Sequence, residues 1–367
     1  MAAGQSPEPS PSPSPAPSAA PGSTPAARVK VGGFVDAYYG WNVNRPADHA
    51  NFFPGAGTTA KRDNEVSVNL AQIDLTVDPA PVGFRLAVGL GTSTEVVHAF
   101  EPVGVVVGPE VWKNVIQASV QWKTGVGRGL LLEAGIYPSH IGLETLASKD
   151  NWNYTRGWLG EFSPYYQTGL KLAYPFSDRW SAQLHVLNGW QTIGDNNRGK
   201  SIGTQIAYSG PRLSVSLNGI AGPELADDNH DVRVMGDIVA TYQATSVVSL
   251  AVSLDAAREG RPAGPSVSWK GAGAYVRLAP SSSRSAFALR GELYDDPDGA
   301  ISGSVQTLKG VTATFEHRPT PNLILKLEGR YDRSSADVFA RQTSDPDGNP
   351  LRKRDQLLVL VGAVATF

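Results

Sequence analysis

From Val29 onward, apolar side chains recur at every second position over short stretches separated by turn residues. In the first stretch Val29, Val31, Val35, Ala37, Tyr39 and Trp41 share one face, while Lys30, Asp36 and Asn42 fall on the other. Period-two alternation of this kind marks a strand with one apolar and one wet side. The pattern returns at 71–77, 84–90, 116–122, 130–136, 168–174, 180–186, 202–208, 213–217, 234–242, 248–254, 272–278, 287–293, 311–315, 323–331 and 357–367. These stretches predict about sixteen strands, with fourteen as the alternative, each of about ten residues, the length that crosses a bilayer when tilted.

The links between the stretches alternate in length. Asp78 to Gly83, Ser177 to Arg179, Ser209 to Pro211 and Ala244 to Ser246 are tight turns. Asn42 to Asn64, Glu95 to Val111, Pro138 to Ser163, Gly189 to Lys200, Gly222 to Asp231 and Arg333 to Lys353 are long and polar. Short turns at one rim and long loops at the other are how outer-membrane barrels are built, with the short side facing the periplasm. Aromatic residues collect at the strand ends: Trp122, Tyr174, Phe176, Trp180, Tyr208, Tyr242, Phe287, Phe315 and Phe367 beside the short turns, and Tyr39, Trp41, Trp112, Trp190 and Tyr331 at the opposite rim. Amphipathic rings favour the headgroup boundary, so the two sets predict two girdles. The fold class expected is all-β, a transmembrane antiparallel up-and-down β-barrel over residues 28–367, in contact with outer-membrane lipid.

Composition fits that picture. Only 18% of residues are charged, against roughly 25% in soluble domains. The 39 glycines suit a coiled wall, and with no cysteine there is neither disulfide nor thiolate chemistry. A net charge of −2 gives no field that would gather nucleic acid. Residues 1–27 hold a run of Pro, Ser and Ala, which predicts a disordered periplasmic segment. No signal peptide is legible in it, and a start near a mature N-terminus is expected.

Opposite the apolar faces lie the residues expected to line the lumen. The bases are Lys30, Arg85, Lys123, Lys171, Arg212, Arg233, Arg277, Arg290, Lys326 and Arg330; the acids are Asp36, Asp74, Glu133, Asp237, Asp255, Glu292, Glu316, Glu328 and Asp332, with His185 on the same side. The signs are nearly balanced, which predicts a water-filled, weakly charge-selective pore for small hydrophilic solutes or ions. Pairing between neighbouring strands, merely bracing the wall, is the competing role for each charge. Enzyme chemistry finds little support: His185 and Ser181 point away from the face of Asn188, and the remaining histidines lack metal-ligand spacing. The DPDG runs at Asp295–Gly299 and Asp345–Gly348 are turn formers without an EF-hand ligand set. No cofactor and no catalytic or metal residue is expected. A plugged barrel acting as an adhesin or structural protein, or a lipid-active enzyme, remains the alternative.

The stretch from Gly135 to Tyr208, with GIYPSHIGLE, NWNYTRGWL, the strand from Pro164 to Tyr174, HVLNGW and KSIGTQIAY, together with LEGRYDRS and the terminal Phe367, resembles the OmpL-like bacterial beta-barrel porins. The resemblance implies an outer-membrane, pore-forming protein whose Phe367 is the signal read by the barrel-assembly machinery. By analogy with general porins it implies a homotrimer and an inward-folding loop after strand five. Glu144, Lys149, Asp150, Arg156 and Glu161 of that loop would then face the wall charges across a constriction; the alternative is a loop packed over the outer mouth.

Overall fold

The structure, a computed structural model, describes residues 28–99, 101 and 109–367. The N-terminal segment 1–27 lies outside them, as does the apolar run from Val103 to Val107. The first strands are β1 (Lys30–Asn42), β2 (Val66–Val77), β3 (Val82–Leu90), β4 (Val115–Lys123), β5 (Leu131–Pro138) and β6 (Tyr166–Pro175). Then come β7 (Trp180–Leu187), β8 (Ser201–Ser209), β9 (Leu213–Pro223), β10 (Val232–Gln243), β11 (Val248–Glu259) and β12 (Val267–Leu278). The chain finishes with β13 (Ser285–Asp296), β14 (Gln306–Thr320), β15 (Leu323–Ser334), β16 (Phe339–Ser344), β17 (Pro350–Lys353) and β18 (Asp355–Thr366). Sixteen of these close one antiparallel barrel, each pairing with the next in sequence and β18 pairing back to β1; β16 and β17 form a separate hairpin in the link before β18. The seam runs from Phe34 opposite Thr366 to Asn42 opposite Leu358. A closed ring is one of the two ways a chain satisfies its backbone groups in hydrocarbon, since it leaves no edge.

The two faces separate as alternation dictates. Along β11, Leu250, Val252 and Leu254 are exposed on the outside while Ala251, Ser253 and Asp255 are buried. On β18, Leu357, Val359 and Val361 are exposed and Leu358, Leu360 and Val364 are buried. An exposed apolar wall of this kind is what transmembrane barrels turn toward lipid. Trp122, Phe176, Trp180, Tyr242, Phe287, Phe315 and Phe367 are exposed beside the short turns, and Tyr39, Trp41, Trp112 and Tyr331 at the other rim.

Three departures from the alternation have physical causes. A bulge between Asp36 and Ala37 leaves Asn69 as the extra residue of β2, and its buried side chain donates to Asp36. A second bulge skips Ile116 in the pairing of β3 with β4, turning that residue from the expected lipid face toward the inner cluster of Phe34 and Leu70. Trp190, expected in the outer girdle, is buried instead, edge-to-face with Trp269 and under the Arg233 guanidinium.

Candidate functional site

The inner wall carries its charges as a ladder of pairs. Lys171 on β6 meets Glu133 across the strand pair, Arg233 meets Glu259, and Arg277 lies 3.1 Å from Glu316. Arg330 lies 2.8 Å from Asp332, and Arg290 lies 3.1 Å from Glu292. The last two arginines are essentially buried, a state that is costly for a guanidinium whose donors are not engaged.

Among the described residues Arg330 Nη2 has no hydrogen-bond partner; other donors of the two are engaged by the link between β5 and β6. It holds two short helical turns, a 3₁₀ turn at Ser148–Asp150 and α1 at Trp158–Glu161. Arg290 donates to Glu144 Oε1 at 2.9 Å and to the Thr155 carbonyl at 2.6 Å. Arg330 donates to the Arg156 carbonyl at 2.5 Å, and Lys326 to the carbonyls of Ser148 at 2.9 Å and Asn151 at 2.6 Å. Glu328 accepts the Tyr154 and Thr155 amides at 2.6 and 3.0 Å and the Thr155 hydroxyl at 2.5 Å. Asp36 accepts from Ser148 Oγ at 2.6 Å and Tyr154 Oη at 2.7 Å. Charges of β13 and β15 thus act on the link's backbone, whose polar groups need partners when buried, while Asp36 of β1 holds two of its side-chain hydroxyls.

A second segment joins it. The link between β1 and β2 looks on paper like a polar outer loop, yet Phe52, Phe53, Thr58 and Thr59 are buried. Glu161 accepts the Gly57 amide at 2.9 Å and Thr58 Oγ1 at 2.7 Å, and the Arg156 amide donates to Thr59 Oγ1 at 2.9 Å. Phe53 stacks on Trp158 at 5.3 Å, while Arg330 lies over both Phe52 and Trp158. Lys61 closes this link through the carbonyls of Ala56 and Phe53, and burial pulls its ammonium below the ordinary value. These contacts were missed from sequence because their partners are remote; the Phe52-Phe53 pair inside a polar link was the one available signal. Together with Phe162, Tyr294, Leu308 and Phe339 the aromatic residues form an apolar cluster.

The other expected residues sit as follows. His185 is buried and stacks on His140 at 4.3 Å; His140, whose pKa burial lowers, bonds the Gly219 carbonyl at 3.0 Å. Asp237 accepts the Gly142 amide at 3.2 Å and pairs in register with Asp255. Lys149 lies over the Phe34 ring and holds Asp150. Asp74 accepts from Gln72. Lys30 and Arg85 share Asp78 at the short-turn rim. Arg212 departs from the lumen expectation: it precedes β9, lies over Tyr242 and donates to the Gln243 and Ala244 carbonyls of the turn. Among the described residues no group of three or more His, Cys, Asp or Glu could hold a metal ion.

The family model described as putative beta-barrel porin-2, OmpL-like, matches residues 28–367. The chain belongs to this porin family. No curated protein matches the porin in sequence. Among solved structures, it is similar to an anion-selective porin from Comamonas acidovorans, with TM-score 0.61 and 14% identity over 93% of this chain and 100% of that one. It is also similar to Salmonella typhi OmpF in complex with daunomycin, with TM-score 0.59 and 13% identity over 93% and 98%. OmpT of Vibrio cholerae in its trimer form aligns with TM-score 0.57 and 10% identity over 93% and 100%. At these identities the likeness is one of fold. Family membership makes the chain an outer-membrane porin, in a class of channels that are generally not enzymes.

Proposed function

We propose that the porin gives small hydrophilic solutes or ions passive passage through a weakly charge-selective pore, narrowed by the β5–β6 link. The observation that carries this is the pairing of a lipid-facing apolar exterior with an interior whose charges are nearly balanced in sign. Lys171, Arg233, Arg277, Asp237, Asp255 and His185 line the wall in this reading; Glu144, Lys149, Asp150, Arg156 and Glu161 form the constriction, backed by Arg290, Glu292, Lys326, Glu328 and Arg330. Fixed charges at a narrow, low-dielectric rim act strongly on a passing ion. The short-turn rim faces the periplasm in this reading. Phe367 is the mark read by the assembly machinery, and three copies associate.

Purified protein in a planar bilayer tests the reading. Stable open steps with a reversal potential near zero under a salt gradient are expected, and Glu144→Ala should alter ion preference. Persistent silence would overturn it in favour of a plugged barrel working through its outer loops, a second reading that the buried cluster of Phe52, Phe53, Trp158 and Phe339 favours.

A further inference from the structure

A cavity of about 310 Å³ lies between the β5–β6 link and the inner wall of β2–β4, reached by the link after β3. Its sides are largely apolar, formed by Val97, Ile116, Leu143, Leu146 and Tyr165. That size is at the lower end of ordinary small-molecule sites, which are apolar with a few placed polar groups. Arg156 supplies such a group. It is 2% exposed and lines the cavity. The Tyr165 ring covers its guanidinium at 4.3 Å, and Nη2 donates to the Glu144 carbonyl at 3.1 Å. Among the described residues its Nε and Nη1 have no hydrogen-bond partner. Arg290, Lys326 and Arg330, buried on the inner wall, each have a carboxylate within 4 Å; Arg156 forms no such pair among the described residues. His98, across the same cavity, makes no hydrogen bond to the described residues through its buried Nδ1, which lies 3.9 Å from Glu101 Oε1.

The acids on this cavity are already engaged. Glu144 accepts from Arg290 and the Gly157 amide, and Asp150 is held by Lys149. A buried guanidinium with unspent donors is costly unless an anion completes it. One such cation favours a monoanion; a phosphate dianion would call for more donors. The apolar walls favour a hydrocarbon body behind the charged head.

We propose that this cavity is a binding site for small amphiphilic monocarboxylates, with Arg156 holding the carboxylate and Val97, Ile116 and Leu146 the apolar body. The proposal is separate from conduction, since binding is read on the detergent-solubilised full chain whether or not the barrel passes ions. Isothermal titration with benzoate and hexanoate, against benzyl alcohol and hexylamine, tests it. Saturable binding of one carboxylate per chain is expected, with none of the alcohol or amine. Arg156→Gln should weaken it at least tenfold, and Leu146→Trp, which fills the apolar end, should do the same. No saturable binding of either carboxylate to folded protein would overturn the proposal, as would benzyl alcohol binding as tightly as benzoate or an unchanged affinity in Arg156→Gln. Should Arg156→Gln not fold, unchanged affinity in Leu146→Trp decides against it alone.

Discussion

Glu328 is the wall residue on which the β5–β6 link depends most directly. Its carboxylate takes three donors from that link, the Tyr154 and Thr155 amides and the Thr155 hydroxyl, and one from Thr314 on the neighbouring strand. The side chain is 1% exposed, so Glu328→Ala leaves three link donors without a protein acceptor. Hydrogen bonds to a charged group contribute roughly 1.5 kcal/mol each at the low end. Allowing for non-additivity and for water entering the space, docking of the link weakens by roughly 3 kcal/mol, about a hundredfold in the equilibrium between docked and undocked forms. Arg290, Lys326, Arg330 and Asp36 still hold other points of the link. The expected result is therefore frequent partial release rather than loss of the barrel. In single-channel recordings this reads as larger mean conductance and greater open-channel noise than the parent, with the folded band on semi-native gels retained. Conductance and noise matching the parent in a folded Glu328→Ala barrel would refute the reasoning.

Arg290→Met leaves Glu144 buried without its cation and Glu292 with only Arg330, 3.8 Å away, and breaking a buried pair costs roughly 3–5 kcal/mol; heat-modifiability on gels should shift to markedly lower temperature. Leu254→Arg places a charge on the lipid face of β11, where the cost is roughly 2–4 kcal/mol near the midplane; refolding titrations in liposomes should show it, while Ser253→Ala on the opposite face should not. Burial lowers the His98 pKa from 6.5 to about 4. A group with a depressed folded pKa binds fewer protons folded than unfolded between those values, so its contribution is full above pH 6.5, falls as pH drops and is gone below about 4. The stability of the parent relative to His98→Phe should fall as pH drops through that window; a pH-independent difference would count against the buried neutral imidazole.

The strands were legible because hydrocarbon on one side and a packed, polar interior on the other impose a period of two on every crossing. Leu250, Val252 and Leu254 needed no tertiary information to be placed. Ile116 did, because one inserted residue reverses parity and the bulge leaves no mark in the alternation. Trp190 is amphipathic, and its place beside Arg233 and Trp269 rather than in a headgroup girdle depends on strands far along the chain. The same holds for the link after β1: the grip of Glu161 on Gly57 and Thr58 joins loops that are adjacent only once the barrel is closed. Spacing within a segment carries no trace of such pairings.

The seam between β1 and β18 has a bearing on how the molecule comes into being. Its partners, such as Phe34 and Thr366, come from opposite ends of the chain, yet the entropy of joining distant segments rises only logarithmically with length. Far more costly is a ring that has entered hydrocarbon unsealed, with two strands presenting bare amides and carbonyls to lipid. An unsealed wall is therefore the costliest arrangement of these strands in hydrocarbon, which ties the stability of the ring to the register between its first strand and its last.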